Sequence, residues 1–216
     1  MRVGVRRIVV DANNPDPAAL EAMSQAIRAG NVVAIPTDTL YGLAVDPFQP
    51  DAVAKIFEVK GRPADRALAL IAADTMQVID RLGALPPLAR ALAKQFWPGA
   101  LTLLISAPST LAAEARSGGK VGVRVPDHTV ARRLCAMCGT PLTATSANLS
   151  GRQASADPDE VARALGGRLD WLLDAGTTPG GLPSTIVDAT ATTPVLVRAG
   201  AIAWADIERA LGAESQ

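Results

Sequence analysis

Val32-Val33-Ala34-Ile35-Pro36-Thr37-Asp38-Thr39-Leu40-Tyr41-Gly42-Leu43-Ala44-Val45 decides the fold class. An apolar strand signal at Val32 to Ile35 runs straight into Pro36-Thr37-Asp38-Thr39, and a second strand signal occupies Tyr41 to Val45. A gap this short cannot carry the crossover that parallel neighbours need. Several other strand neighbours lie as close, whereas helical patterns separate the rest. The expectation is an α/β chain with a mixed rather than purely parallel sheet. The polar residues at the end of the first strand stand where sites in α/β proteins gather.

Working outward, a strand at Arg7 to Val10 leads to a helix that starts at Asp16-Pro17, carries Leu20, Met23 and Ile27 on one face, and ends at Gly30. A helix from about Asp51 to Val59 delivers Lys60 and Arg62 at its end. A strand at Leu68 to Ala72 follows, then helices at about Asp74 to Leu82 and Pro87 to Phe96. Strands at Leu101 to Ile105 and Val121 to Val125 flank a loop in which Ser117-Gly118-Gly119-Lys120 has the flexibility to close on a ligand. An amphipathic helix across Cys135 and Cys138 stops at Gly139. Beyond it come a strand at Leu142 to Thr145, a helix capped by Asp157-Pro158, strands at Trp171 to Leu173, Thr185 to Asp188 and Val195 to Arg198, and a helix around Trp204 to Leu211. No repeat, low-complexity tract or linker divides the pattern, so residues 1–216 read as one domain with its core at about 16–200.

The 216 residues are 49% apolar and 19% charged, an ordinary globular balance. No window reaches the ~18 uninterrupted apolar residues of a spanning helix. Asp11 interrupts the apolar N-terminal run and no small-residue cleavage site follows, so the expected location is the cytoplasm, with no membrane partner. A formal net charge of zero argues against a protein that coats nucleic acid, while leaving room for a local basic groove. With two Cys and one His in the chain, Cys135 and Cys138 read as packing residues and His128 as a turn or cap residue.

Lys60-Gly61-Arg62-Pro63 and Arg66 put three cations within seven residues, a grouping that suits a polyphosphate or carboxylate, or else forms a solvated face. There is no G-x-x-x-x-G-K-[ST] loop and no G-x-G-x-x-G, so a nucleotide would be held by side-chain cations and scattered backbone donors. Arg124 in Val121-Gly122-Val123-Arg124-Val125-Pro126 points outward to solvent or meets an anion, and Arg198 repeats that placement at another strand end. Asp38 and Asp188 are candidates for magnesium, for orienting a cation, or for a turn. Pro141-Leu142-Thr143-Ala144-Thr145-Ser146-Ala147-Asn148-Leu149-Ser150-Gly151 packs hydroxyls among apolar residues, as the lip of a polar pocket does. No G-x-S-x-G elbow is present, and a single His cannot serve all the serines. The chemistry implied is binding and orientation, with no protein nucleophile.

Taken in order, Pro36 to Leu43, Lys60-Gly61-Arg62-Pro63, Trp97-Pro98-Gly99 with Leu101-Thr102, Val123-Arg124-Val125-Pro126, Thr145 to Gly151 and Ser184-Thr185-Ile186-Val187-Asp188 resemble the YrdC-like family of threonylcarbamoyl-adenylate synthases, in its shorter bacterial branch. The resemblance implies a twisted mixed sheet with flanking helices around a deep, positively lined cleft. It implies formation of threonylcarbamoyl-AMP and pyrophosphate from L-threonine, bicarbonate or CO2, and ATP, with Mg2+ accompanying ATP. The product would feed threonylcarbamoylation of tRNA, which makes tRNA and downstream transferase proteins partners. By motif position Thr39, Arg124, Ser184 and the backbone near Ala144 would hold threonine. Lys60, Arg62, Arg66, Ser146 and Arg198 would hold the nucleotide, Lys120, which departs from the family pattern, would either add an ATP phosphate contact or be solvated, and Asn148 would brace its loop.

Two departures from the family pattern stand out. Ile71 occupies the position of a His that contacts threonine in many members, and Lys120 stands where Thr or Ser is frequent. The chain also ends soon after Arg198, which leaves no room for the C-terminal domain of the longer branch. The alternatives are an RNA-binding or ribosome-associated module that uses a basic cleft without synthase activity, and a relative that handles a different carbamoyl-adenylate.

Overall fold

The computed structural model describes residues 4–61 and 68–213. In chain order the elements are β1 (Arg6–Val9), α1 (Pro17–Arg28), β2 (Val33–Ile35), β3 (Gly42–Ala44), α2 (Pro50–Lys60), β4 (Leu70–Ile71), α3 (Thr75–Leu82), α4 (Pro87–Phe96), β5 (Leu101–Ser106), β6 (Lys120–Arg124), α5 (Thr129–Cys138), β7 (Leu142–Thr143), β8 (Thr145–Ser146), α6 (Pro158–Leu165), β9 (Trp171–Asp174), β10 (Thr185–Asp188), β11 (Val195–Arg198) and α7 (Trp204–Ala213). The helix starts follow side-chain caps and prolines. Asp16, Asp74 and Asp157 accept from Ala18 N, Gln77 N and Asp159 N, and α1, α2, α4 and α6 each open on a proline whose missing N–H has no helical partner to lose.

Hydrogen bonding divides the strands into two mixed sheets. The first runs β1-β9-β2-β3-β8 and the second β11-β10-β5-β6-β4-β7. As the short gap at residues 36–40 requires, β2 and β3 are antiparallel, with Ile35 opposite Gly42. The strand expected at Leu142 to Thr145 is two strands in different sheets. Thr143 N donates to Val45 O at 3.0 Å and Ala144 N to Ala69 O at 2.8 Å, so consecutive amides face opposite neighbours. The Thr143 hydroxyl, fully buried, donates to Leu43 O at 3.1 Å and accepts from Val45 N at 3.0 Å. This segment is therefore the seam between the sheets.

The two sheets are covered differently. Ala34, Leu43 and Val45 face α2 and α6 through Val53, Ile56, Val161 and Leu165. Val33, Ile35 and Ala44 on the other face meet Met23 and Ile27 of α1 and Val130 and Leu134 of α5. Both faces of the first sheet are thus buried. In the second sheet Leu101, Leu103, Val121, Val123 and Val187 pack against Val78, Leu92 and Ile207 of α3, α4 and α7. Strand alternation turns Thr102, Lys120, Gly122, Arg124 and Asp188 to the opposite face. Ser117 to Lys120, expected as a loop free to close, is a tight hairpin turn. Ser117 and Lys120 exchange backbone bonds at 2.9 Å, and Gly118 and Gly119 take φ of 56° and 74°, as a type I′ turn demands.

Candidate functional site

Arg124 ends β6 on the face that the helices leave uncovered, and its guanidinium reaches into the 37–39 loop that follows β2. Nη2 donates to Thr37 Oγ1 and Thr39 Oγ1, both at 3.2 Å. Nη1 lies 2.8 Å from Asp38 Oδ1, an ion pair with side chains 9% and 10% exposed. The contact lacks hydrogen-bond alignment, and both atoms are buried with no hydrogen-bond partner. Burial lowers the Arg124 pKa and Asp38 opposes that shift. The loop is preset to receive this cation. Thr37 Oγ1 gives its proton to Leu40 O at 2.7 Å and so accepts from Thr39 N at 3.2 Å and from Arg124. Thr178 Oγ1 and Gly180 N hold Thr39 O from behind at 2.9 and 2.8 Å.

A second guanidinium comes from β11. Arg198 Nη2 donates to Ser184 O at 2.6 Å and to Ser184 Oγ at 3.2 Å. Ser184 Oγ is 2.7 Å from Thr102 Oγ1 on the uncovered face of β5. Although Arg198 is an exposed residue, partial desolvation of its guanidinium lowers its pKa, and the charge of Arg124 lowers it further. Gly200 makes this meeting of chains possible. A Cβ there would overlap Pro183 O and lie 2.5 Å from both Ser184 C and Thr185 N.

The third group belongs to the seam. Lys60, 3% exposed at the end of α2, donates its Nζ to Ser146 O, and to Asn148 O and Oδ1 at 3.1 Å each. Ser146 Oγ also donates to Asn148 Oδ1, and Asn148 Nδ2 reaches Leu149 O at 3.0 Å, so Asn148 ties the loop together. The group joins the first through β3, where Gly42 pairs with Ser146 and Ala147 N donates to Tyr41 O at 2.9 Å.

The structure thus brings Thr39, Arg124, Ser184 and Arg198 together, with Lys60, Ala144 and Ser146 on the adjoining seam. Ala144 uses its N–H on Ala69. Lys120 stands apart. It lies four residues, about 13 Å, before Arg124 along β6, and its Nζ pairs with Asp188 Oδ2 at 2.6 Å. Arg62 and Arg66 lie outside the described residues. For a metal the donor set does not fit. Asp38 is paired with Arg124 and Asp188 with Lys120, and among the described residues no three of His, Cys, Asp and Glu cluster as ligands. Cys135 is buried, with its thiol pKa raised by burial, and Cys138 is half-buried.

Thr37, Thr102 and His128 were not singled out for the site by sequence. Thr102 had a signal, since a hydroxyl between Leu101 and Leu103 in an apolar strand faces away from the core. Asp38, a candidate for magnesium, for a cation or for a turn, pairs with a cation. His128 does occupy the N-cap position of α5, but its side chain makes no capping bond, its Nδ1 is buried without a partner, and burial lowers its pKa. A cavity of about 930 Å³, lined by Arg6, Lys55, Arg168, Asp170 and Trp171, lies at the β1–β9 side of the molecule. One of about 570 Å³ opens beside Leu40, Ser155 and Gly180, next to the 37–39 loop. Among the described residues no helix is long and apolar enough to cross a membrane.

The Sua5/YciO/YrdC family model, described as telomere recombination, matches residues 25–200. The Bacillus subtilis (strain 168) protein named threonylcarbamoyl-AMP synthase is 40% identical over 205 residues, which make up 94% of this chain and 58% of that protein. The Marinobacter nauticus protein of the same name is 35% identical over 182 residues, 83% of this chain and 96% of that one. The crystal structure of Pyrococcus abyssi Sua5 complexed with L-threonine is similar with a TM-score of 0.88 at 35% identity, covering 95% of this chain and 61% of that one. This chain thus spans less than two thirds of two of these relatives and nearly the whole of the third. With the family model covering most of its length, and relatives of this identity sharing its fold, the chain belongs to the Sua5/YciO/YrdC family.

Proposed function

We propose that this chain is a threonylcarbamoyl-AMP synthase, joining L-threonine, bicarbonate or CO2, and ATP, with release of pyrophosphate. The observation that carries the reading is the buried Arg124, which ends β6 among Thr37, Thr39 and Asp38 with the Arg198 charge acting on it. An anion placed between them relieves the repulsion and completes the bonding. The names of the relatives, and the L-threonine bound to Pyrococcus abyssi Sua5, supply the chemical class.

In this reading the threonine carboxylate meets Arg124, with the Thr39 and Ser184 hydroxyls and the backbone near Ala144 around the rest of the amino acid. The threonine amine adds to CO2 with loss of a proton, or to bicarbonate with loss of water, and a carbamate oxygen then attacks the α-phosphorus as its bond to the bridging oxygen breaks and pyrophosphate leaves. The reactants bring nucleophile and leaving group, and the protein contributes proximity and charge neutralisation. Arg198, Ser146, Arg62 and Arg66 hold the nucleotide. Lys60 acts through the loop it fixes, positioning Ser146. Lys120 is left out, because Asp188 engages it at the far end of β6. These cations would line the deep cleft. Mg2+ belongs to ATP in this reading, carried by phosphate oxygens, and no step depends on a protein cage. The chain would work as one domain in the cytoplasm, its product passing to the proteins that modify tRNA.

The test is turnover of ATP to AMP with pyrophosphate release. It should require both threonine and bicarbonate, and Arg62→Ala should weaken nucleotide binding. Absence of threonine-dependent turnover, together with unchanged nucleotide binding by Arg62→Ala, refutes the proposal. Salt-steep RNA affinity indifferent to threonine would favour the RNA-binding alternative instead.

A further inference from the structure

Three cations away from Arg124 gather around the cavity of about 930 Å³. Its walls come from one end of the first sheet and the helices beside it. Arg6 opens β1, Asn31 and Val32 precede β2, and Trp171 opens β9. These strands run parallel, with Trp171 opposite both Arg6 and Val33. The cavity therefore lies at their N-terminal ends, whereas the 37–39 loop follows the C-terminal end of β2. The length of β2, about 10 Å of strand, separates the two places. Sites in α/β sheets gather at the other end of the strands, so this cavity needs its own explanation.

Each cation is held by a contact that leaves its charge without a counter-ion. Arg6 Cζ stands 5.0 Å over the ring centroid of Trp171. Lys55 Nζ uses one of its three N–H bonds on Gly30 O at 2.6 Å. Arg168 Nη1 would lie 3.5 Å from a Cβ on Gly61, which sets it against the end of α2, the helix that carries Lys55 and Glu58. Among the described residues none of the three is ion-paired, whereas Arg7, next to Arg6, pairs with both Asp159 and Asp174. Cations with donors to spare around one concavity suit an anion.

The rest of the lining narrows the class of that anion. A guanidinium laid on an indole is a platform on which a flat base stacks, and Ala22, Ala26 and Val59 add apolar wall. Glu58 and Asp170 also line the cavity, which leaves one positive charge in excess and offers acceptors beside the donors. Asp170 already accepts from Val32 N at 3.0 Å. That balance disfavours a polyphosphate and suits one phosphate group on a body with hydroxyl donors. The volume falls in the range of about 300–1,000 Å³ that holds a single small molecule. We propose that this cavity is a second binding site, separate from that of Arg124, for a nucleoside monophosphate. The base stacks on Arg6 and Trp171, the phosphate meets Lys55 and Arg168, and Glu58 accepts from the ribose hydroxyls.

Trp171 is one of three tryptophans, so its indole N–H resonance is identified by its loss in Trp171→Phe. AMP is titrated into the 216-residue protein and that resonance is followed by NMR. The expected result is a saturable shift that persists in Arg198→Ala, since that change lies in the other site. Lys55→Ala/Arg168→Ala, with its melting temperature as the check on folding, should weaken binding at least about tenfold. Arg6→Ala, which removes the stacking plane, should weaken AMP and adenosine alike and leave inorganic phosphate unchanged. Adenosine and inorganic phosphate should each bind more weakly than AMP, because each fills part of the site. An indole that AMP leaves unmoved, or equal affinity in the double variant, overturns the inference. Inorganic phosphate that binds as tightly as AMP also overturns it, leaving an adventitious ion only. A shift produced by an RNA oligonucleotide and not by AMP overturns it in favour of a polynucleotide surface. None of these outcomes touches the proposed function, because threonine-dependent turnover reads the site around Arg124.

Discussion

Two ion pairs stand at opposite ends of β6 and share its uncovered face. At the start of the strand, Lys120 and Asp188 are 40% and 19% exposed, and the Asp188 carboxylate also accepts from Thr190 N at 3.0 Å and Thr190 Oγ1 at 2.6 Å. At its end, Arg124 and Asp38 are buried, and each keeps an atom without a hydrogen bond. The first pair is complete and close to water, where such a pair contributes ~0–1 kcal/mol. The second carries the desolvation of both charges, which attraction in the interior does not reliably offset. Stability alone does not account for keeping it. On this strand the buried pair marks the site, and the exposed, saturated pair marks scaffold.

The largest effect should come from breaking the buried pair on one side. Arg124→Ala leaves the Asp38 charge uncompensated and should cost about 3–5 kcal/mol in chemical denaturation. The double variant Asp38→Ala/Arg124→Ala should recover part of that loss, because the stranded charge is gone. If the single change costs no more than Lys120→Ala, the contrast between the two pairs fails. Next comes the crossing of chains beside Arg198. Gly200→Ala puts a methyl group against backbone atoms of Pro183, Ser184 and Thr185. It should cost about 1–3 kcal/mol and, by moving Ser184, raise the threonine concentration needed for turnover. A melting curve and a KM measurement check the two parts.

The smallest effect belongs to the exposed pair. Lys120→Ala should lower stability by less than about 1 kcal/mol. Desolvation pushes Asp188 up, but its bonds to Lys120 and Thr190 outweigh that and hold the carboxyl below its ordinary value. A depressed carboxyl stabilises the fold above its unfolded pKa of about 3.9 and loses that contribution as pH falls through the lower, folded value. The gap in melting temperature between the wild type and Lys120→Ala should therefore be widest at neutral pH and close below about pH 4. A gap that widens in acid would contradict the assignment.

Local punctuation explains which elements could be read from sequence. Pro87 to Phe96, Thr185 to Asp188 and Val195 to Arg198 have the limits expected, because proline, glycine and apolar alternation bound them. The pattern of Leu142 to Thr145 has a single period and reads as one strand. Its division at Ala144 depends on Ala69 and Val45, far away in sequence, and alternation says nothing of which sheet an amide faces. The site was legible to the same degree. Arg124 and Arg198 stand out as cations in apolar strands, but β10 and β5 separate their strands in the second sheet, and it is Ser184 and Thr102 on the intervening chain that link the two groups. Lys60 and Lys120 also read as cations for a phosphate. Their partners, the carbonyls of Ser146 and Asn148 and the carboxylate of Asp188, lie on elements that only the fold brings near.

The most direct test of the central claim is a calorimetric titration of L-threonine into Arg124→Gln and Lys120→Gln, each compared with the wild type. Loss of charge-assisted bonds worth about 1.5–3 kcal/mol predicts that Arg124→Gln binds at least about tenfold more weakly, with Lys120→Gln within about twofold of the wild type. Equal weakening in both variants, or unchanged binding in Arg124→Gln, would contradict the account.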